Sequence, residues 1–127
     1  MKSLATLFFL TGALAVLIGM CWGIVMSATQ DHALAPAHAH LNLIGFVVMS
    51  IYGIYYALTP RAAAGIIARV HYGLALLGVV LIVPGIVWAV QGTGDTAAKL
   101  GSVVTVLAML VFIAQILRHG VGTKSAA

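Results

Sequence analysis

The stretch Leu4–Ser27, LATLFFLTGALAVLIGMCWGIVMS, decides the fold because it is apolar throughout and carries no charged residue. About 20 predominantly apolar residues in a helix cross the hydrocarbon core of a bilayer. Lys2 precedes the stretch, as in a secretory signal peptide, but the apolar part of such a peptide spans only ~7–15 residues. Met26-Ser27-Ala28 is also a poor cleavage site. We therefore interpret the stretch as a retained transmembrane helix.

Three further apolar stretches of similar length follow along the chain. The four predicted helices cover residues about 4–27, 36–58, 70–91 and 97–117. Pro36 suits the first turn of the second helix, and Thr59-Pro60 is typical of its end. Gly19 and Gly23 form a pair of small residues that lets helices pack closely. Because the breaks are short, the sequence predicts a single all-α membrane domain over residues 1–127, with four transmembrane helices.

The composition supports this class of protein. Of the 127 residues, 63% are hydrophobic and 6% are charged, whereas a soluble domain has about 25% charged residues. These values exclude a water-soluble globule and a disordered tail. Asp31 and Asp95 are the only acidic residues and lie between apolar stretches, so a proton pump that works through buried carboxylates is not expected. With Cys21 as the single cysteine, neither a disulfide framework nor a thiolate metal site is expected.

The basic residues predict the orientation in the membrane, since cytoplasmic loops are enriched in Lys and Arg. A cytoplasmic N-terminus places most of them on the cytoplasmic side, namely Lys2, Arg61, Arg69, Arg118 and Lys124. Lys99 and both acids then lie towards the outside, in or beside the loops 28–35 and 92–96. We therefore expect a multi-pass protein of a bacterial inner membrane with both termini in the cytoplasm. Because the basic residues are spread singly, they form no patch that indicates nucleic-acid binding.

Five histidines in a chain with two acids are the most informative feature of the sequence. His71 and His119 stand close to arginines, which is typical of interfacial residues on the cytoplasmic side. His38 and His40 open the second helix, and an ionisable residue inside a membrane is by default a candidate for a functional site. His71 is separated from this pair by roughly 25 Å at 1.5 Å per residue, so it cannot share a metal ion with either histidine.

The spacing of His38 and His40 limits what they can bind. A helix turns by about 100° per residue, so the two side chains point about 200° apart and cannot chelate one ion from a single helix. They can serve two sites, with His38 on the face of Asn42 and His40 on the face of Leu43. A second strong ligand for either site must come from His32 in the outer loop or from another subunit.

Ligation by imidazole alone suits heme iron, copper or zinc. Heme fits best, because the segment around the pair is apolar and rich in Gly and Ala. Small residues such as Gly45 let helices approach closely or let a flat cofactor lie against the backbone. Lys99 and His32 are the candidate partners for heme propionates at the outer side. The residues thus favour heme as the ligand of His38 and His40, with copper or zinc as the alternatives.

The segment Ala37–Phe46, AHAHLNLIGF, resembles the histidine-bearing helices of the heme–copper oxidase subunit I superfamily. It is also similar to the motif of the nitric-oxide-response heme–copper membrane proteins, and the resemblance extends to around Tyr56. The catalytic subunit of the superfamily has twelve helices in three arcs of four. One second helix of an arc carries a His-x-His pair that binds two hemes on opposite faces, and His38 and His40 match this pair.

The resemblance implies that the chain corresponds to one arc, a third of oxidase subunit I, and that a homotrimer rebuilds the ring. His38 of one subunit and His40 of the next would then hold one heme b between them, near the periplasmic side. The chain has no counterpart of the family's copper-binding histidine cluster, its His–Tyr cross-link or its proton-channel glutamate. If the protein is an enzyme, we therefore expect an oxidoreductase but not a complete proton-pumping oxidase.

Three functions remain open from the sequence. The first is electron transfer, or sensing of heme or of gases such as O2 and NO, by a heme b protein with a periplasmic or quinone redox partner. The second is copper or zinc binding through His32, His38 and His40, for metal handling or oxidase assembly. The third is a cofactor-free structural subunit of a larger complex.

Overall fold

The computed structural model describes residues 2–123 of the chain, which fold as an all-α protein. Four helices are long and apolar enough to span a membrane, which confirms the predicted architecture. They are α1 (Leu4–Thr29), α2 (Ala35–Leu58), α3 (Ile66–Val90) and α4 (Thr96–His119). A single helical turn, Pro60–Ala63, joins α2 to α3. Helix α3 begins at Ile66 rather than near residue 70, because Arg69 takes an exposed position on the helix instead of interrupting it.

The four helices pack mainly in the order of the chain, with α1 against α2, α2 against α3, and α3 against α4. The buried positions of α1 recur every three to seven residues at Phe8, Gly12, Ala15, Gly19 and Met26. Residues at helical spacing share one face. This face is the one that α1 buries in the bundle, while the other sides of α1 are apolar and exposed, as expected for contact with lipid.

Helix α2 changes its winding in the middle. The segment Leu41–Val48 is a π-helix between two α-helical segments. A π turn holds more residues than an α turn. Residues four apart in this segment therefore lie close to one line along the helix axis, and Leu41, Gly45 and Met49 are all buried. π-Helical segments occur frequently at functional sites. The outward face of α2 is apolar, with Leu43 58% exposed.

Helices α3 and α4 approach so closely that side chains are excluded from part of their contact. A Cβ atom at Gly101 would lie 2.6 Å from the backbone nitrogen of Ile82, and one at Gly78 would lie 2.7 Å from Thr105 Oγ1. At Gly85 a Cβ atom would overlap the backbone of α4. Small residues at a membrane-helix interface permit this close backbone packing.

Charge is segregated along the axis of the bundle. One end, which we call the basic end, carries Lys2, Arg61, Arg69 and Arg118. The other end carries Lys99 and both aspartates, whereas Lys124 lies outside the described residues. At the basic end the Arg61 guanidinium donates to the carbonyl oxygens of His119 and Gly122. Arg61 therefore closes the C-terminal end of α4, where carbonyl groups have no partner within the helix.

We predict that Gly101→Ala weakens the bundle and that Gly73→Ala does not. The new methyl group at residue 101 would push the α3 backbone at Ile82, and such overpacking costs about 1–3 kcal/mol. A Cβ atom at Gly73 meets nothing within 4 Å, so this variant is the matched control. Unfolding of the two detergent-solubilised variants, followed by circular dichroism, should give a lower midpoint for Gly101→Ala alone. Equal midpoints would contradict the close α3–α4 contact.

Candidate functional site

His38 lies between α1 and α2. Its Nε2 atom is 2.9 Å from the carbonyl oxygen of Gly19 on α1, and its ring stands nearly perpendicular to Trp22, with ring centroids 5.8 Å apart. A carbonyl oxygen can only accept a hydrogen bond. The His38 Nε2 atom therefore carries the proton and donates it to the α1 main chain.

Asn42 completes this contact. Its side-chain amide lies next to His38, with Nδ2 3.2 Å from Nε2. Two donors cannot bond each other, so the chemistry favours the amide orientation in which Oδ1 faces the His38 N–H group. This orientation also gives a partner to Oδ1, which is otherwise a buried oxygen without a hydrogen bond among residues 2–123. His38 and Asn42 thus tie α2 to the backbone of α1.

Two glycines of α1 make room for these polar side chains. A Cβ atom at Gly19 would overlap the Asn42 side chain, and one at Gly23 would lie 3.3 Å from His38 Nε2. The pair predicted from the sequence to allow close packing of helices therefore accommodates a histidine and an asparagine. We call the space along Gly19 and Gly23 the glycine groove.

The hydrogen bond of His40 differs from that of His38 in its partner and in the ring nitrogen that makes it. Its Nδ1 atom is 2.7 Å from the carbonyl oxygen of Pro36, one helical turn earlier, and donates to it. The proton is thus on Nδ1, and Nε2 keeps its lone pair and has no hydrogen bond to any described residue. A histidine that binds a metal almost always donates its other N–H to a carbonyl, a carboxylate or water, which fixes the ring. His40 therefore already has the tautomer that a metal ligand needs.

The two histidines do not form a metal site within one chain. The ring of His38 faces α1, whereas that of His40 bonds only its own helix. Among residues 2–123 no three His, Cys, Asp or Glu side chains come together in a way that could hold a metal ion. The predicted copper or zinc site with three or more such ligands is therefore not formed inside this part of a single chain.

The other predicted site residues lie apart from this pair. Gly45 packs inside the bundle, where a Cβ atom would be 3.0 Å from that of Ala15. The Lys99 ammonium is 2.8 Å from the Asp95 carboxylate on an exposed surface. That hydrogen bond and the charge of Lys99 hold the pKa of the Asp95 carboxyl below its ordinary value. His32 is exposed in the loop before α2.

His71 corrects a prediction from the sequence. It was expected at the membrane interface, but its exposed fraction is 0%. Because α3 begins at Ile66, His71 is in the second turn of the helix and faces the bundle. Aromatic rings enclose it, namely those of Phe8, Tyr52, Tyr56 and Phe112.

A hydrogen-bonded network joins His71 to α2 and α4. Tyr56 Oη is 2.8 Å from His71 Nδ1, and the Gln115 amide donates to Tyr56 Oη at 3.5 Å and to the Ala62 carbonyl at 3.2 Å. Tyr56 Oη thus accepts from Gln115 and shares a hydrogen bond with His71 Nδ1, whose direction depends on the tautomer of His71. The other ring nitrogen of His71, Nε2, is buried without a hydrogen bond among the described residues. We call Tyr56, His71 and Gln115 the buried polar cluster.

The buried polar cluster was not predicted from the sequence, although the sequence carries two signals of it. Gln115 is a polar residue within the apolar stretch 97–117, and polar side chains inside a membrane usually face a partner in the bundle. The spacing of Tyr52, Tyr55 and Tyr56 also places three tyrosines on one face of α2.

We predict that Tyr56→Phe destabilises the protein more than Tyr72→Phe. The first variant leaves buried His71 and Gln115 without a shared partner, and an unpaired buried polar group costs about 1–3 kcal/mol. Tyr72 makes one part-buried hydrogen bond, to Thr11 at 2.7 Å, and is the matched control. The check is the difference between the two unfolding midpoints in detergent. If the unfolding midpoint of Tyr56→Phe equals that of the control, the network does not contribute to the stability of the protein.

The described residues therefore contain two polar centres, one at the glycine groove and one in the buried polar cluster. The chain was compared with protein-family models, curated proteins and solved structures, and none of them matches it.

Proposed function

We propose that this multi-pass membrane protein binds heme b between subunits, and that His40 of one subunit and His38 of the next would hold its iron. The observation that carries the proposal is the state of His40. Its Nδ1 proton is held by the Pro36 carbonyl, and its Nε2 lone pair has no partner in the described part of the chain. A histidine prepared in this way at a membrane-helix surface is suited to a ligand from outside its own chain.

The surface around His40 suits a porphyrin better than a bare ion. Leu43, Val47 and Ile51 form an outward apolar face of α2 that begins three residues after His40, and they are 58%, 41% and 48% exposed. A porphyrin is flat and mostly apolar, so this face offers the contact area that it needs. A bound heme with two histidine ligands supplies a one-electron redox couple and has no open position for oxygen. Electron transfer or sensing of heme is therefore the proposed role, and sensing of O2 or NO would require the gas to displace one histidine.

The two histidines have different tasks in this proposal. His40 needs no rearrangement, because the Pro36 carbonyl already fixes its ring and its tautomer. His38 fits after two changes, since its Nε2 atom must give up the Gly19 carbonyl and its proton must move to Nδ1 before Nε2 can bind iron. The glycine groove and Asn42 then hold His38 in the absence of heme. Binding is expected to release this α1–α2 contact.

The assembly and the orientation belong to the same proposal. A homotrimer of four-helix subunits would rebuild a ring like that of oxidase subunit I, in keeping with the resemblance of Ala37–Phe46. The segregation of basic residues to one end favours both termini in the cytoplasm of a bacterial inner membrane. The histidine pair is then near the periplasmic side, within reach of a periplasmic or quinone redox partner. Copper or zinc handling and a purely structural role remain the alternatives.

We predict that the purified protein is red, with a Soret band and sharp α and β bands on reduction. His38→Ala and His40→Ala should each abolish the low-spin spectrum, because every shared site needs both ligands. His32→Ala, which removes an exposed loop histidine, is the control and should keep the spectrum. A colourless protein that contains copper would overturn the heme proposal, and a bis-histidine spectrum in either single variant would overturn the shared site.

We predict that both termini are in the cytoplasm, and the labelling of single cysteines in a Cys21→Ser background tests this orientation. Thr93→Cys, in the exposed loop between α3 and α4, should react with a membrane-impermeant maleimide in cells whose outer membrane alone is opened. Gly65→Cys, which is exposed just before α3, should react only after the inner membrane is permeabilised. The reverse pattern would place the histidine pair on the cytoplasmic side.

A further inference from the structure

A cleft of about 540 Å³ opens at the basic end of the bundle, between the start of α1 and the start of α3. Lys2 and Arg69 line it together with Leu4, Leu7 and Tyr72. The cleft is far from the histidine pair, which is at the opposite end of α2. It is therefore independent of the proposed heme site.

Two cations of this cleft have no carboxylate partner within residues 2–123. Asp31 and Asp95 are the only acids of the chain, and both lie at the other end of the bundle. Lys2 and Arg69 are both exposed, and neither makes an ion pair within the described residues. Lys2 and Arg69 can therefore pair with an anion that comes from outside the chain.

The other cations of the basic end are placed differently. Arg61 donates its guanidinium N–H groups to carbonyl oxygens after α4. Arg118 lines a separate cleft, with His119 and Gln115. Lys2 and Arg69 are thus the cations of the cleft between α1 and α3, and Arg118 is an exposed cation at the same end that can serve as a control.

The remaining walls of the cleft are apolar and run towards the membrane. Leu4 and Leu7 belong to the first turn of α1, and the ring of Tyr72 is held by its hydrogen bond to Thr11 at 2.7 Å. The first backbone N–H groups of α1 add positive potential at the rim. Ser3 Oγ accepts from Thr6 N at 3.2 Å, so part of this helix end is already capped. The cleft therefore combines a cationic rim with apolar walls at the level of a lipid headgroup.

We propose that this cleft binds an anionic phospholipid of the adjacent leaflet, with Lys2 and Arg69 on the phosphate and the leucines against the upper acyl chain. Basic pockets between membrane helices bind lipid headgroups in this way. A soluble phosphate would use the cations but gain nothing from the apolar walls. The combination of both surfaces favours the lipid.

The test uses the full-length protein in nanodiscs of phosphatidylcholine with and without phosphatidylglycerol. Native mass spectrometry measures how much phosphatidylglycerol remains bound after transfer to detergent. Lys2→Gln and Arg69→Gln should each weaken retention roughly five-fold, as expected for one basic residue near a headgroup. Arg69→Lys should retain the lipid, because it keeps the charge. Arg118→Gln, the control at the same end, should behave as the unchanged protein.

Three results would overturn the proposal. Equal losses in Arg118→Gln and Arg69→Gln would mean diffuse attraction to the membrane surface rather than a site. Equal retention of phosphatidylcholine and phosphatidylglycerol would remove the selectivity for an anion. Displacement of the lipid by inorganic phosphate alone would assign the cleft to a soluble anion. Unchanged helix content in each variant, measured by circular dichroism, ensures that a loss of lipid is not a loss of fold.

Discussion

A polar group in the hydrocarbon core of a membrane has no water to bond, so it must find its partner inside the protein. This constraint accounts for the backbone, whose groups are paired within four long helices. It also accounts for the polar side chains. His38 reaches the Gly19 carbonyl, and the Gln115 amide reaches both a carbonyl and a tyrosine hydroxyl. Each of these bonds joins two segments that are far apart in the sequence.

Glycine makes several of the helix contacts geometrically feasible. On α1 the missing side chains of Gly19 and Gly23 leave the space that His38 and Asn42 fill. Between α3 and α4, Gly101 leaves space for the backbone of the facing helix. The first pair thus receives polar side chains, and the second contact brings two backbones together. Glycine thus makes room for a polar centre between α1 and α2 and permits close backbone packing between α3 and α4.

Two nitrogen atoms stand out against this background of paired groups. The Nε2 atom of His71 is enclosed by aromatic rings and is buried without a hydrogen bond among residues 2–123. The Nε2 atom of His40 has no hydrogen bond to a described residue, while its Nδ1 atom is bonded to the Pro36 carbonyl of the same helix. The first nitrogen is fully buried inside one chain, whereas the second belongs to a half-buried side chain next to the exposed apolar face of α2. This difference is why the proposed cofactor site rests on His40 and not on His71.

The sequence by itself determined the four membrane helices, because apolar stretches of sufficient length cannot be accommodated in water and need no tertiary partner to be recognised. It also determined that His38 and His40 diverge, since their spacing on a helix fixes the angle between them. Tertiary structure decided which partner His38 meets, because the Gly19 carbonyl is brought to it only when α1 packs on α2. The burial of His71 was likewise beyond the sequence. Its neighbour Arg69 suggests an interface, but the helix turns the two side chains to opposite sides, and only the packing of α1, α2 and α4 encloses the histidine.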